Sequence, residues 1–145
     1  MTSFPLHAVL GYRKNVEDMA QLALSRARQE YLRIEQQMED ERCRREEVRQ
    51  ELTRCQSRGM DAMTLVLYQQ CLEGTDRTLQ QLDHELQKAD ENVWNKKQEL
   101  YEACKDKKKL EKLKERHDQR AREEESRLET AHLDDVAVAW WGRRG

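Results

Sequence analysis

Four histidines (His7, His84, His117, His132) and four cysteines (Cys43, Cys55, Cys71, Cys104) are the residues best suited to metal or nucleophilic chemistry. Their spacing argues against both. No Cys-x-x-Cys pair is present and no histidine stands at ligand distance from a cysteine, so a metal site is not expected. The histidines are scattered along the chain, with no pattern that would build a pocket to shift a pKa or exclude water. No glycine-rich phosphate loop occurs. The sequence therefore predicts no enzyme activity, no cofactor and no small-molecule substrate. The cysteines read as reduced thiols of a reducing compartment.

Other residues suit binding. Trp94 and Tyr101 are seven apart, which places them on one flank of a helix. They are either an outer-face docking contact or an aromatic pair flattened against its own helices. Val136–Trp141 is an apolar run ending in Trp140-Trp141, and adjacent tryptophans are typical anchors for a partner. Folding back or disorder of the tail is the alternative. Residues 105–122 hold nine Lys/Arg against four acids, whereas residues 72–92 hold six acids against two basic residues. The basic stretch is interleaved with acids and poor in aromatics. A solvated face or an acidic protein partner suits it better than nucleic acid, which is not an expected partner.

These residues must be positioned by very simple elements. Of 145 residues, 39% are charged and 37% apolar, and the net charge is −2, so a thick globular core is out of reach and bulk charge names no partner. Pro5 is the only proline, and glycines stand only at 11, 59, 74, 142 and 145. Long stretches are thus free of helix breakers. No run is apolar enough to span a bilayer and the N-terminal residues lack a secretory core. The sequence predicts a soluble protein that stays in the compartment where it is made.

Stepping alternately by three and four residues gives Leu65, Tyr68, Leu72, Thr75, Leu79, Leu82, Leu86, Ala89, Val93, Lys96, Leu100, Ala103, Lys107 and Leu110, a seam of period 3.5. It continues more weakly through Lys114, His117, Ala121, Glu124, Leu128 and Ala131. A second seam runs Leu10, Arg13, Glu17, Ala20, Leu24, Ala27, Tyr31, Ile34, Met38, Glu41, Arg45, Val48, Leu52, Cys55. Between them, Gly59 suits the left-handed residue that ends a helix and Asp61 the N-cap of the next. A reversal there pairs residues whose numbers sum to 120, such as Ile34 with Leu86 and Leu10 with Leu110. Sums of 113 or 127 also align the heptads, but only 120 centres the turn beside the glycine.

The predicted fold is all-α, a single long two-helix antiparallel coiled-coil hairpin over 1–145. Helix 1 covers about 5–57, the turn about 58–61, helix 2 about 62–136 and a short tail 137–145. At about 1.5 Å per residue the helices reach about 80 and 110 Å, so helix 2 runs past the start of helix 1 as an overhang. Arg45 opposite Thr75, beside Gly74, marks a soft spot where bending or fraying is expected, with a tolerated imperfection in a long helix as the alternative.

The opening Phe4-Pro5-Leu6-His7-Ala8-Val9-Leu10-Gly11-Tyr12-Arg13 resembles the Phe-x-Leu-x-x-Val-Leu-x-x-Arg start of the flagellar export protein FliJ family. The likeness continues through Gly59-Met60-Asp61-Ala62, Tyr68-Gln69-Gln70, Tyr101-Glu102-Ala103, Lys109–Arg116 and Leu133-Asp134-Asp135-Val136-Ala137. It departs at Cys71 and Thr75, where other members carry larger apolar residues. The resemblance implies a cytoplasmic stalk of the type III export apparatus, peripherally associated with the membrane. Such a stalk inserts into the export ATPase ring, contacts the export gate and helps to hand over export chaperones.

On that resemblance the tip residues Met63, Leu67, Tyr68, Gln69 and Cys71 are expected to meet the gate. The open end, with Leu6, Arg13, Lys109, Lys112, Arg116, Trp140 and Trp141, is expected to meet the ATPase ring. For the charged residues and the tryptophans, this assignment rests on their position at the open end. Two alternatives are the equivalent stalk of a virulence type III secretion system and a coiled-coil adaptor for nucleic acid or a scaffold.

Overall fold

A computed structural model describes residues 3–143. Two helices, α1 (His7–Arg58) and α2 (Ala62–Gly142), account for nearly all of them and pack against each other as an antiparallel hairpin. No strand occurs among the described residues.

Local chemistry sets the boundaries. Pro5 is the second residue of a turn in which the His7 amide donates to the Phe4 carbonyl (3.1 Å), so α1 opens at His7, two residues later than the sequence alone implies. Gly59 ends α1 at φ +85°, where a side chain would be strained. Asp61 then caps α2: its Oδ1 accepts from the Thr64 amide at 2.8 Å, and the Thr64 hydroxyl together with this amide holds its carboxyl below the ordinary carboxylate range.

The far end of α2 differs from the sequence expectation. The chain does not become a tail at 137 but stays helical through Gly142, because nothing between Gly74 and Gly142 breaks a helix. Arg144 and Gly145 of the expected tail lie outside the described residues. The helix is likewise unbroken at Gly74, where bending or fraying was expected.

Every position of the two heptad ladders from Leu10 to Cys55 and from Leu65 to Leu110 is buried or half-buried. Leu24, Ala27, Ile34, Met38 and Ala89 are the deepest apolar residues of one compact unit, Ala20–Leu100. Phe4, Leu10 and Ala103 are the deepest of the other, Met1–Met19 with Tyr101–Gly145. Among the described residues no side chain is wholly sealed from water, as expected where each helix covers only one stripe of the other.

Cross-helix contacts fix the register. Arg45 meets Asp76, Arg13 meets Asp106 and Phe4 meets His117, with residue numbers summing to 121, 119 and 121. These fall beside 120 and away from 113 and 127. The polar layer is centred on Thr75, which is buried. Its hydroxyl donates to the Cys71 carbonyl (3.0 Å), while Arg45 Nε sits 2.9 Å from Asp76 Oδ1.

The two inner glycines give opposite expectations. Alanine at Gly59 forces a left-handed residue and should destabilise by about 1–2 kcal/mol. Alanine at Gly74 meets only the end of the Arg77 side chain at 3.9 Å and should stabilise by about 1 kcal/mol. Urea unfolding followed by circular dichroism reads both signs.

Candidate functional site

Near the turn, the first helical turns of α2 present Met63, Leu67 and Cys71 at spacings of four, so the three share one outward face, and all three are exposed, as is Gln69. Val66 adds to the exposed apolar surface. Tyr68 belongs to the seam instead. Its hydroxyl lies 3.8 Å from the Cys55 thiol, and this contact, with partial burial and Glu51, pushes the phenol up to about 12. Of the five residues expected to form the gate surface, four face water and Tyr68 braces them from beneath.

In the unit holding both termini, the predicted residues do not form one site. Leu6 is partly exposed, while Arg13 is half-buried and committed to Asp106 (3.4 Å) and to the ring of Tyr12 (5.9 Å from the guanidinium carbon to the ring centre). Lys109, Lys112 and Arg116 are exposed on the outer side of α2. Trp140 and Trp141 pack edge to face at 5.8 Å and remain 50% and 68% exposed. They lie about 36 Å further along the helix than Arg116. From residue 122 to 143 every side chain is exposed, the seam positions Leu128 and Ala131 included. Trp94 and Tyr101 are 61% and 62% exposed.

Three features were missed in the sequence. Phe4 is buried with its ring 5.5 Å from that of His117, closing the seam ahead of Leu10. The signal was present, since Phe4 and His117 nearly satisfy the sum of 120. Val9, Tyr12 and Met19 form an exposed apolar flank of α1. Their spacing of three and seven was masked by the stronger seam beside it. Finally, Glu17 and Lys107 are directly ion-paired across the seam, each one turn away from the residue it was expected to face.

Glu17 is largely covered by its neighbours, and the Lys107 ammonium at hydrogen-bonding distance holds its carboxyl below the ordinary 4.5, against the opposing effect of burial. Lys107 is held above its ordinary 10.5 by the same contact. The stabilisation from Glu17 is therefore present above 4.5 and lost as pH falls through its lower folded value. That from Lys107 is present below 10.5 and lost as pH rises through its higher folded value. Glu17→Gln should lower the midpoint of thermal unfolding at neutral pH and flatten its decline below pH 4.5 relative to the parent, read by thermal circular dichroism across acid pH.

Among the described residues no group of three His, Cys, Asp or Glu could hold a metal ion, and no helix is long and apolar enough to cross a membrane. The chemistry gathered at the surface is apolar and cationic contact on a two-helix antiparallel coiled coil. These features define a two-helix coiled-coil protein. The chain belongs to the flagellar FliJ protein family, whose sequence model matches residues 2–145. It is thus a coiled-coil protein related to type III export, in a family of structural or chaperone-like secretion components. The structure of a putative YscO homolog, CT670 from Chlamydia trachomatis, has the same fold. It has a TM-score of 0.55 at 19% identity, covering 94% of this chain and 93% of the other. No curated protein matches the sequence.

Proposed function

We propose that the protein is the stalk of a flagellar type III export apparatus, joining the export ATPase ring to the cytoplasmic part of the membrane export gate. Membership of the FliJ family supports the setting. The observation that carries the stalk reading is the overhang: α2 continues from 122 to 142 with all its side chains in water and ends in a paired tryptophan anchor. A helix that exposes its own seam and two large aromatics is suited to enter a partner. In this reading the overhang, with Leu6, Lys109, Lys112 and Arg116, engages the ring. Met63, Leu67, Gln69 and Cys71, braced by Tyr68, engage the gate, and Trp94 and Tyr101 contact neighbouring components such as export chaperones. Arg13 holds the α1 flank through Asp106 and Tyr12.

The test is cosedimentation with the purified export ATPase together with its hydrolysis rate. Binding and stimulation are expected, and the absence of both would remove the proposal. The fold shared with a YscO homolog favours one second reading, the equivalent stalk of a virulence secretion system. Binding to that system's ATPase and not to the flagellar one would establish it.

A further inference from the structure

On the outer side of α2, Tyr101, Cys104, Lys105, Lys108, Lys109 and Lys112 line an open groove of about 320 Å³. The four lysines are exposed and none makes an ion pair. The acids around them are engaged with other cations. Asp106 is held by Arg13, while Glu17 and Glu111 are held by Lys107. Glu102 and Glu115, the other carboxylates of this stretch, lie outside the lining. Four ammonium groups without an ion-pair contact therefore stand within two helical turns, about 10 Å, beside an exposed aromatic ring.

We propose that this groove docks an acidic helical segment of a partner protein, its carboxylates meeting the lysines and an apolar side chain resting against Tyr101 and Cys104. Carboxylates at i, i+3 or i+4, and i+7 of a helix match the lysine spacing. The length of the patch selects this occupant over a polyanion or a bilayer. Glu123, Glu124 and Glu125 follow about 16 Å beyond Lys112, so nucleic acid or an anionic membrane laid along α2 would meet carboxylates on the same helix. A partner helix of two or three turns would not. The net charge of −2 likewise gives no long-range attraction for a polyanion. The groove chemistry stands without the stalk reading. It rests on that reading only where the ATPase ring is taken as the carrier of the segment.

The experiment titrates the full-length protein with a labelled amphipathic peptide carrying glutamates at that spacing around a leucine. The glutamine version of the peptide, oligothymidylate and phosphatidylcholine–phosphatidylserine vesicles run in parallel. The glutamate peptide should bind, more weakly as salt rises, and bind in preference to the other three. The combined Lys105→Gln, Lys108→Gln, Lys109→Gln, Lys112→Gln variant should weaken it roughly tenfold. A variant with Arg26, Arg28, Arg54 and Lys88 changed to Gln, equal in charge loss, should stay within about twofold. Carbodiimide coupling of the peptide to the parent should fall on the four groove lysines.

No binding at low salt, equal loss in the two variants, coupling to Lys14 or Lys88, or preference for the oligonucleotide or vesicles would overturn the proposal. If the peptide result holds and the groove variant still binds the ATPase normally, the groove serves another acidic protein. If the parent fails to bind the ATPase at all, the stalk reading fails and the groove does not.

Discussion

Aspartate in place of Ile34 is expected to remove a large part of the protein's stability, whereas aspartate two residues earlier, in place of Leu32, is expected to do almost nothing. Both are large aliphatic residues on α1, yet Ile34 is 4% exposed and Leu32 is 60% exposed. Ile34 is a seam residue, in register with Leu86, so Ile34→Asp loses its apolar burial and places an unpaired charge in the stripe. That should cost about 3–5 kcal/mol, from a total on the order of 5–15 kcal/mol. Leu32→Asp only exchanges one solvated side chain for another, within about 0.5 kcal/mol. Because the seam holds the core of the described residues, loss of packing should appear as loss of helicity in thermal and urea scans by circular dichroism. Equal effects at the two positions would mean that the helices are not paired through this stripe.

The second large effect separates binding from folding. A variant ending at Ala121 removes the segment whose side chains are all exposed, so no seam contact is lost and its unfolding midpoint should stay close to that of the parent. Its stimulation of the export ATPase should nevertheless fall to background. The double substitution Trp140→Ala, Trp141→Ala should lower ring affinity by about 30-fold or more if the pair is the anchor. A truncated protein that still stimulates fully would place ring contact elsewhere, with the exposed flank of Val9, Tyr12 and Met19 as the next surface to test.

The hairpin was legible because its forming rule is one-dimensional. A period of 3.5 selects the stripe, Gly59 and Asp61 place the turn, and the constant sum of residue numbers follows. What escaped notice depends on three-dimensional detail. Facing positions in a heptad predict which residues share a layer, but a long flexible side chain can reach one turn along, as Lys107 does to Glu17. The Phe4-Pro5 turn lies ahead of the first recognised heptad, so the burial of Phe4 on His117 carried no periodic signal of its own. Residues 137–141 read as part of a tail, although none of them breaks a helix.

The surfaces were legible to a lesser degree. Seam periodicity marks Leu67, Trp94 and Tyr101 as off the seam, and each is exposed, as are Met63 at the tip and Trp140 and Trp141 on the overhang. It also placed Tyr68 in the seam, where its contact with Cys55 now sets it apart from the other tip residues. That Arg13 is consumed by Asp106 while Lys105, Lys108, Lys109 and Lys112 keep their charge unpaired depends on which neighbour each acid reaches. Counting charges along the chain does not reveal that partition.

The most direct test of the stalk reading is site-specific photocrosslinking in a flagellated host, with the crosslinker placed in turn at position 67 and at position 141. The export gate protein should be captured from 67 and the export ATPase from 141, with neither adduct formed from the other position. Capture of the same protein from both positions, or the reverse pattern, would contradict the account.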